Sequence, residues 1–489
     1  MDSLQAIFSD TGSTIVAIFL LGFTIFVHEF GHFLAAKKRG AKIERFSIGF
    51  GPKIFGWTGR DGIEYRLSWI PLGGYVSLPQ LAEMPAIEGE TKNDVEKLPP
   101  LGFLDKVIVA IAGPVFNVLF AMLLATVLWA IGQQVAAEIQ TNVVGNIRST
   151  IETSDGKTVP GPAAAAGLNV GDRILAVDGQ NVSNFGQIVD AVMMGSGRAA
   201  DNSPQTTLTV KRDGRVFDLV VTPVYSTTYE NHRDIGITPS AKILVASVIA
   251  DSAAQNAGLK PGDLLTHIDQ SPITSPNTIR DYISKTKDTP VEITYQRDGL
   301  TAKATLVPRL TFNPDTNKQS YLIGITQSYD VTIITVHIPP WTQIGEVFDR
   351  TGRSLAALAN PRTDVGLKDA NGPLGMIDNM RRIIKSDYKD ALWFVILINV
   401  ALAVFNMLPV PVLDGGHILL AIITKIRGRA LPVRIVATVQ SVMVLLLFSL
   451  MIFVTFNDGR RILRRLFTSK PVPAQQTAPD PATPAQPSK

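Results

Sequence analysis

Two histidines flank a glutamate in His28-Glu-Phe-Gly-His32, inside an apolar run from Thr14 to Ala36. On a helix, residues four apart share one face, with side chains about 6 Å apart. Both imidazoles can then reach one zinc ion through bonds of about 2.0–2.1 Å. Glu29 stands beside the pair, where it can take the proton of an attacking water. Three ionisable groups in an apolar span are costly unless they face a cavity and a partner. Two histidines merely packed in a helix are therefore the weaker reading.

Catalytic zinc takes three protein ligands and keeps one position open. Of the six histidines, His232, His267 and His337 lie far along the chain from the pair. A carboxylate at similar membrane depth is the expected third ligand, and Asp414 is the acidic residue found between Ala391 and Phe456. It closes Asn406-Met-Leu-Pro-Val-Pro-Val-Leu-Asp414, where Pro409 and Pro411 break the helix and open its backbone. A turn-capping Asp414 and a ligating His417 are the alternatives. The chain has no cysteine, which removes thiol nucleophiles, disulfides and cysteine-bound zinc together.

The elements that must position these groups are membrane spans. The chain has 489 residues, room for about three domains. Only 18% are charged, against about 25% for soluble chains. The net charge of +4 is too mild and scattered for nucleic-acid binding. Four apolar runs, Thr14–Ala36, Val107–Ile131, Ala391–Leu408 and Val433–Phe456, are long enough to span and hold no Lys, with Arg434 at the edge of the last. The first lacks a basic n-region, carrying Asp2 and Asp10 ahead of it, so it reads as a span and not a cleaved signal. Lys37, Lys38 and Arg39 behind it place residues 37–104 inside and residues 132–390 outside. The C-terminal tail then falls outside, against the bias of its four arginines at 460, 461, 464 and 465.

The long outside segment repeats. Pro162-Ala-Ala-Ala-Ala-Gly-Leu-Asn-Val-Gly-Asp172 matches Ala253-Ala-Gln-Asn-Ala-Gly-Leu-Lys-Pro-Gly-Asp263, with Asp178 matching Asp269, at an offset of 91 residues. Arg212-Asp-Gly214 recurs as Arg297-Asp-Gly299. Each copy reads as a short helix, a Gly-Asp turn and alternating strands. This pattern resembles a circularly permuted PDZ domain, which implies peptide capture on a sheet edge or service as a size filter.

Between the first two runs, Ile63–Trp69 and Gly74–Leu78 alternate like a β-hairpin broken at Pro71-Leu-Gly-Gly74. Apolar strands there predict a membrane-associated hairpin buried in protein or lining a cavity. Residues 339–374 are amphipathic and are expected on the membrane surface. Residues 471–489 are rich in Pro, Ala and Gln and are expected to be disordered. The expected domains are a membrane part at 1–132, PDZ-like domains at 133–238 and 239–328, and a surface linker at 329–390. A second membrane part follows at 391–466 and a tail at 467–489. The fold class is a polytopic α-helical membrane protein of about four spans, with a β-hairpin and two α+β PDZ-like domains.

Together, His-Glu-x-x-His in the first run, Asn406-x-x-Pro-x-Pro-x-Leu-Asp-Gly415 near the third and the two repeats resemble the site-2 protease family, in its regulator of sigma-E protease branch. Ala112-Gly-Pro-Val-Phe-Asn117 matches that family's Gly-x-x-x-Asn element, and Asn371-Gly-Pro-Leu-Gly375 its Gly-Pro element. The resemblance implies His28, His32 and Asp414 as zinc ligands and Glu29 as catalytic base. It implies that Asn406, Asn117, Pro409 and Pro411 form the substrate-binding set, with the asparagines holding substrate backbone, and that the Ile63–Leu78 hairpin pairs with unwound substrate as an added strand. It further implies an anti-sigma factor in the bacterial inner membrane as substrate, signal-peptide remnants besides, and periplasmic PDZ-like domains.

The reading is thus an intramembrane zinc endopeptidase acting on single-span proteins. A non-catalytic scaffold is one rival, and it would tolerate Glu29→Gln. A metal transporter is another, but the second and fourth runs are nearly free of the polar groups it needs.

Overall fold

The computed structural model describes residues 2–80, 101–229, 231–313, 318–330, 332–429 and 431–468. The chain forms two compact units, residues 1–121 with 367–489, and residues 122–366. The expected disordered tail lies outside the described residues.

The first unit opens with α1, Asp2–Lys38, of which Thr11–Lys38 is long and apolar enough to cross a membrane. Its end is a glycine cap: Gly40 sits at φ 71° and the Ala41 N–H donates to Ala36 O at 2.9 Å. Lys37 and Lys38 face the negative end of the helix dipole there. Next come strands β1, Arg45–Thr58, and β2, Glu64–Ser77. Then follow α2, Phe103–Ile131, which continues past Ala121, and α3, Pro373–Ser386. The unit closes with α4, Tyr388–Asn406, α5, Asp414–Arg427, and α6, Val433–Thr468. Spans of sufficient length and apolarity lie in α1, α2, α4 and α6, as expected.

The hairpin differs from expectation. Ile63–Trp69 and Gly74–Leu78 do not pair with each other. Residues 45–48 stand between them, pairing with 74–77 on one side and 64–67 on the other, while 53–58 pair with 64–68. Unpaired backbone groups carry a heavy cost away from water, and the inserted segment pairs with the facing edge of each strand, leaving 74–77 open on its outer side. Phe33 and Ala36 of α1, Val109 of α2, Phe46 and Val76 of the sheet, and Ile63 just before β2 share one buried core. Phe46 meets Phe33 edge-on at 5.3 Å between ring centres.

The second unit holds two similar cores. Val144, Leu168, Ile174, Ile188, Leu208 and Ile237 belong to one, and Ile243, Leu259, Leu265, Ile279, Ile293 and Ile323 to the other. The repeated motif has a physical reason. Asp172 and Asp263 are buried, and each takes two hydrogen bonds from the arginine of the Arg-Asp-Gly turn, Arg212 or Arg297, at 2.6–2.7 Å. Each arginine also reaches the repeat glycine carbonyl, at Gly167 or Gly258, at 2.8 Å. Within the expected surface linker, the helix Pro340–Ala359 packs on the first of these domains, with Arg350 at 3.3 Å from Asp190. Asp364 follows, taking hydrogen bonds from fully buried Arg233 at 2.6 Å and from Tyr225 at 2.8 Å. Residues 373–386 of the same stretch form α3, in the first unit.

Candidate metal centre and catalytic base

Helix α1 carries His28 and His32 one turn apart on the face toward α2. The approach depends on two glycines. A Cβ on Gly31 would stand 2.5 Å from Ala112 O, and one on Gly113 would stand 2.3 Å from His32 Nε2. Only hydrogen at these positions lets the helices touch and leaves room for the rings.

Asp414 arrives from the far end of the sequence. After α4 ends, Pro409 and Pro411 supply no backbone donors, and α5 begins with Asp414 itself. Gly415 and Gly416 let that start fold tightly back. A Cβ on either would lie 2.3 Å from Met407 O or 2.0 Å from Val410 O. Asp414 Oδ2 is then 3.2 Å from His28 Nε2, and Oδ1 is 3.3 Å from His32 Nε2. The two Nε2 atoms are 3.1 Å apart.

This donor set fits a tetrahedral zinc ion. Bonds of about 2.0–2.1 Å to a tetrahedral centre place ligand atoms about 3.3 Å apart. The hydrogen bonds on the far side of each ring agree. His32 Nδ1 donates to Val109 O at 2.8 Å, so its Nε2 presents a lone pair to the centre. The Asn117 amide lies 3.1 Å from His28 Nδ1, and Asn117 Oδ1 is buried without a partner. Turning that amide end for end gives the Nδ1–H an acceptor and frees His28 Nε2 likewise. Two imidazole lone pairs and a carboxylate then converge, and Asp414 Oδ2 has no hydrogen-bond donor. Such a cluster of acceptors repels itself unless a cation lies among them. Among the described residues, His28, His32 and Asp414 form the group that could hold a metal ion, without His417.

Glu29 is buried beside the pair and accepts a hydrogen bond from the Val76 backbone of β2. A Cβ on Gly74 would lie 3.1 Å from Glu29 Cγ, so the strand runs directly past the base. Asn406 sits with its Nδ2 3.3 Å from His28 Nε2, partly exposed. Asn117, the other residue expected to hold substrate backbone, lies beside the metal centre. It is wholly buried against His28, where it orients the ring and presents no amide outward. Pro411 turns its carbonyl to Gln440 of α6 at 3.2 Å, and Pro409 shapes the same turn. Sequence reasoning passed over Gly113 and Gln440. Gly113 stands four residues before Asn117 in the Gly-x-x-x-Asn element, and that spacing is its signal.

The family model described as "Peptidase family M50" matches residues 16–450. The regulator of sigma-E protease RseP of Escherichia coli K12 is 29% identical over 483 residues, covering 93% of this chain and 99% of that one. Protease RseP of Yersinia pestis is 28% identical over 462 residues, covering 91% and 98%. Among solved structures, the PDZ domain of an SdrC-like protein from Listeria monocytogenes is 29% identical, covering 17% of this chain and 85% of that one, at a TM-score of 0.15. The chain belongs to peptidase family M50, the site-2 proteases, and is by that membership a membrane-embedded zinc metalloendopeptidase.

Proposed function

We propose that His28, His32 and Asp414 hold the zinc ion, that Glu29 is the catalytic base, and that the substrate is a single-span protein of the anti-sigma-factor type in the bacterial inner membrane. The observation that carries this is the convergence of two imidazoles and one carboxylate, all within 4.8 Å, from opposite ends of the chain. The RseP-named relatives support the substrate class.

When bound, zinc supplies Lewis-acid activation of a water and of the scissile carbonyl. Glu29 accepts the water's proton and returns it to the leaving amine. Burial strips water from Glu29, and its Val76 hydrogen bond aims the carboxylate. A helical substrate hides its carbonyls in hydrogen bonds and must unwind to be cut. Residues 64–67 are paired on both sides, so they offer no free edge. Among the described residues, 74–77 are paired on one side only, and the Val76 N–H directed at Glu29 marks the other side as facing the base. An unwound substrate adding there as a strand lies beside Glu29, with Asn406 near enough to hold its backbone. The PDZ-like domains stand on the periplasmic side and screen substrates by size or by a new C-terminus.

Cleavage of a model transmembrane peptide by wild type, Glu29→Gln and Asp414→Ala tests this. Both variants are expected to be inactive, and only Asp414→Ala loses zinc affinity. Full activity in either overturns the assigned role.

A further inference from the structure

Helix α6 is the least covered of the four spans. Ile435, Val442, Leu445, Phe448, Ile452 and Phe456 are exposed along it, as lipid-facing residues are. Yet it buries two polar side chains, Gln440 at 2% and Asp458 at 1% exposure. They are 18 residues apart, five helical turns, so they share one face about 27 Å apart. Polar groups in a span need a partner, and each has one. Asp458 Oδ2 accepts from the Gly375 N–H at 2.8 Å, in the first turn of α3. This explains the small residues of Asn371-Gly-Pro-Leu-Gly375: a Cβ on Gly372 or Gly375 would lie 2.8 Å from the Asp458 carboxylate. Gln440 Nε2 donates to Pro411 O, three residues before Asp414, in a turn whose prolines cannot tie it down by their own N–H groups.

We infer that Gln440 is a positioning residue for the metal centre, fixing the Pro409–Asp414 turn so that the Asp414 carboxylate meets His28 and His32. Asp458 is the second attachment of the same helix, setting the height at which Gln440 meets the turn. The inference rests on the reading of Asp414 as third ligand. Residues that orient ligands through one intermediate typically change metal affinity about 10- to 100-fold when removed.

The test uses the full chain in detergent, freed of metal and titrated with zinc against a chromogenic chelator. Gln440→Met keeps the length and removes the donor, and should raise the zinc dissociation constant about 10-fold. Gln440→Asn keeps the amide but withdraws it by one methylene, and should weaken zinc in the same direction. It decides the matter should the methionine variant not fold. Placed on Asp414→Ala, either change should add nothing further to the loss of zinc, because Gln440 acts through Asp414. A residue of purely structural role would lower the unfolding midpoint in both backgrounds and leave zinc affinity alone. Unchanged zinc affinity in the folded Gln440 variants overturns the inference. Unchanged affinity in Asp414→Ala overturns the ligand assignment instead.

Discussion

Gly113→Ala is a one-carbon change that should disable the metal centre while leaving the helix sound. The new methyl would stand 2.3 Å from His32 Nε2 and 2.8 Å from His28 Cε1. Non-bonded carbons settle at about 3.5 Å or more, so roughly 1 Å of clearance is missing. A flexible side chain could swing aside, but His32 is tied by its Nδ1 to Val109 O at 2.8 Å. Spreading the helices would give up the close packing that Gly31 makes against the Ala112 carbonyl. The rings must therefore leave their places. A shift near 1 Å is half of a zinc–nitrogen bond of about 2.0–2.1 Å. Misplacement of about 1 Å at a reacting centre costs about 100-fold in rate, or about 2.7 kcal/mol of barrier. Alanine favours the helix by about 1 kcal/mol over glycine, which offsets part of the cost of displacing the rings, so the apo protein should remain folded. Peptide cleavage followed by mass spectrometry should show a loss of about 100-fold or more, and zinc titration a weakened affinity. Wild-type zinc affinity together with wild-type cleavage in Gly113→Ala would refute the placement of the two imidazoles.

Other expectations follow from the same geometry. Glu29→Gln should keep zinc and lower turnover by about 10²- to 10⁴-fold, the usual share of a general base; a smaller effect would remove Glu29 from proton transfer. Asp364→Ala strands Arg233 as a buried charge and should destabilise the second unit by about 3–5 kcal/mol, read as a shift in its unfolding transition, and no shift would contradict the buried pair. Burial opposes the charge on Asp172, but Arg212 and the Asn169 N–H outweigh it and hold the carboxyl below its ordinary range. Its contribution is complete above the unfolded carboxylate value of about 3.9 and is lost as pH falls toward the folded value. The stability gap between wild type and Asp172→Asn should therefore close below about pH 4, and a gap independent of pH would contradict the pairing.

The apolar runs and the His28–His32 spacing were plain in the sequence because each is a local pattern. Length and hydropathy place a span, and a four-residue step places two rings on one face. Asp414 was also legible, since an acidic group is so rare in that apolar surrounding. The repeats announced two similar domains, and their Arg-Asp-Gly echoes turned out to be ion pairs onto Asp172 and Asp263. What stayed hidden depends on contacts between distant segments. Residues 45–48 enter between the two predicted strands, and alternation along a strand says nothing about which neighbour fills its edge. The Asn117 contact with His28 is of the same kind, since it depends on the packing of α2 on α1. Gly113 and Gln440 carry no chemistry by type. Their roles arise because one leaves space for a ring and the other faces a carbonyl that prolines leave untied.

The central claim concerns which three side chains hold one zinc ion, and X-ray absorption at the zinc edge of the purified full chain tests it most directly. The account predicts one zinc per chain bound by two imidazoles and oxygen donors, with the metal weakened in His28→Ala, His32→Ala and Asp414→Ala and retained in His417→Ala. A first shell with three imidazoles, or zinc bound as tightly in Asp414→Ala as in wild type, would contradict it.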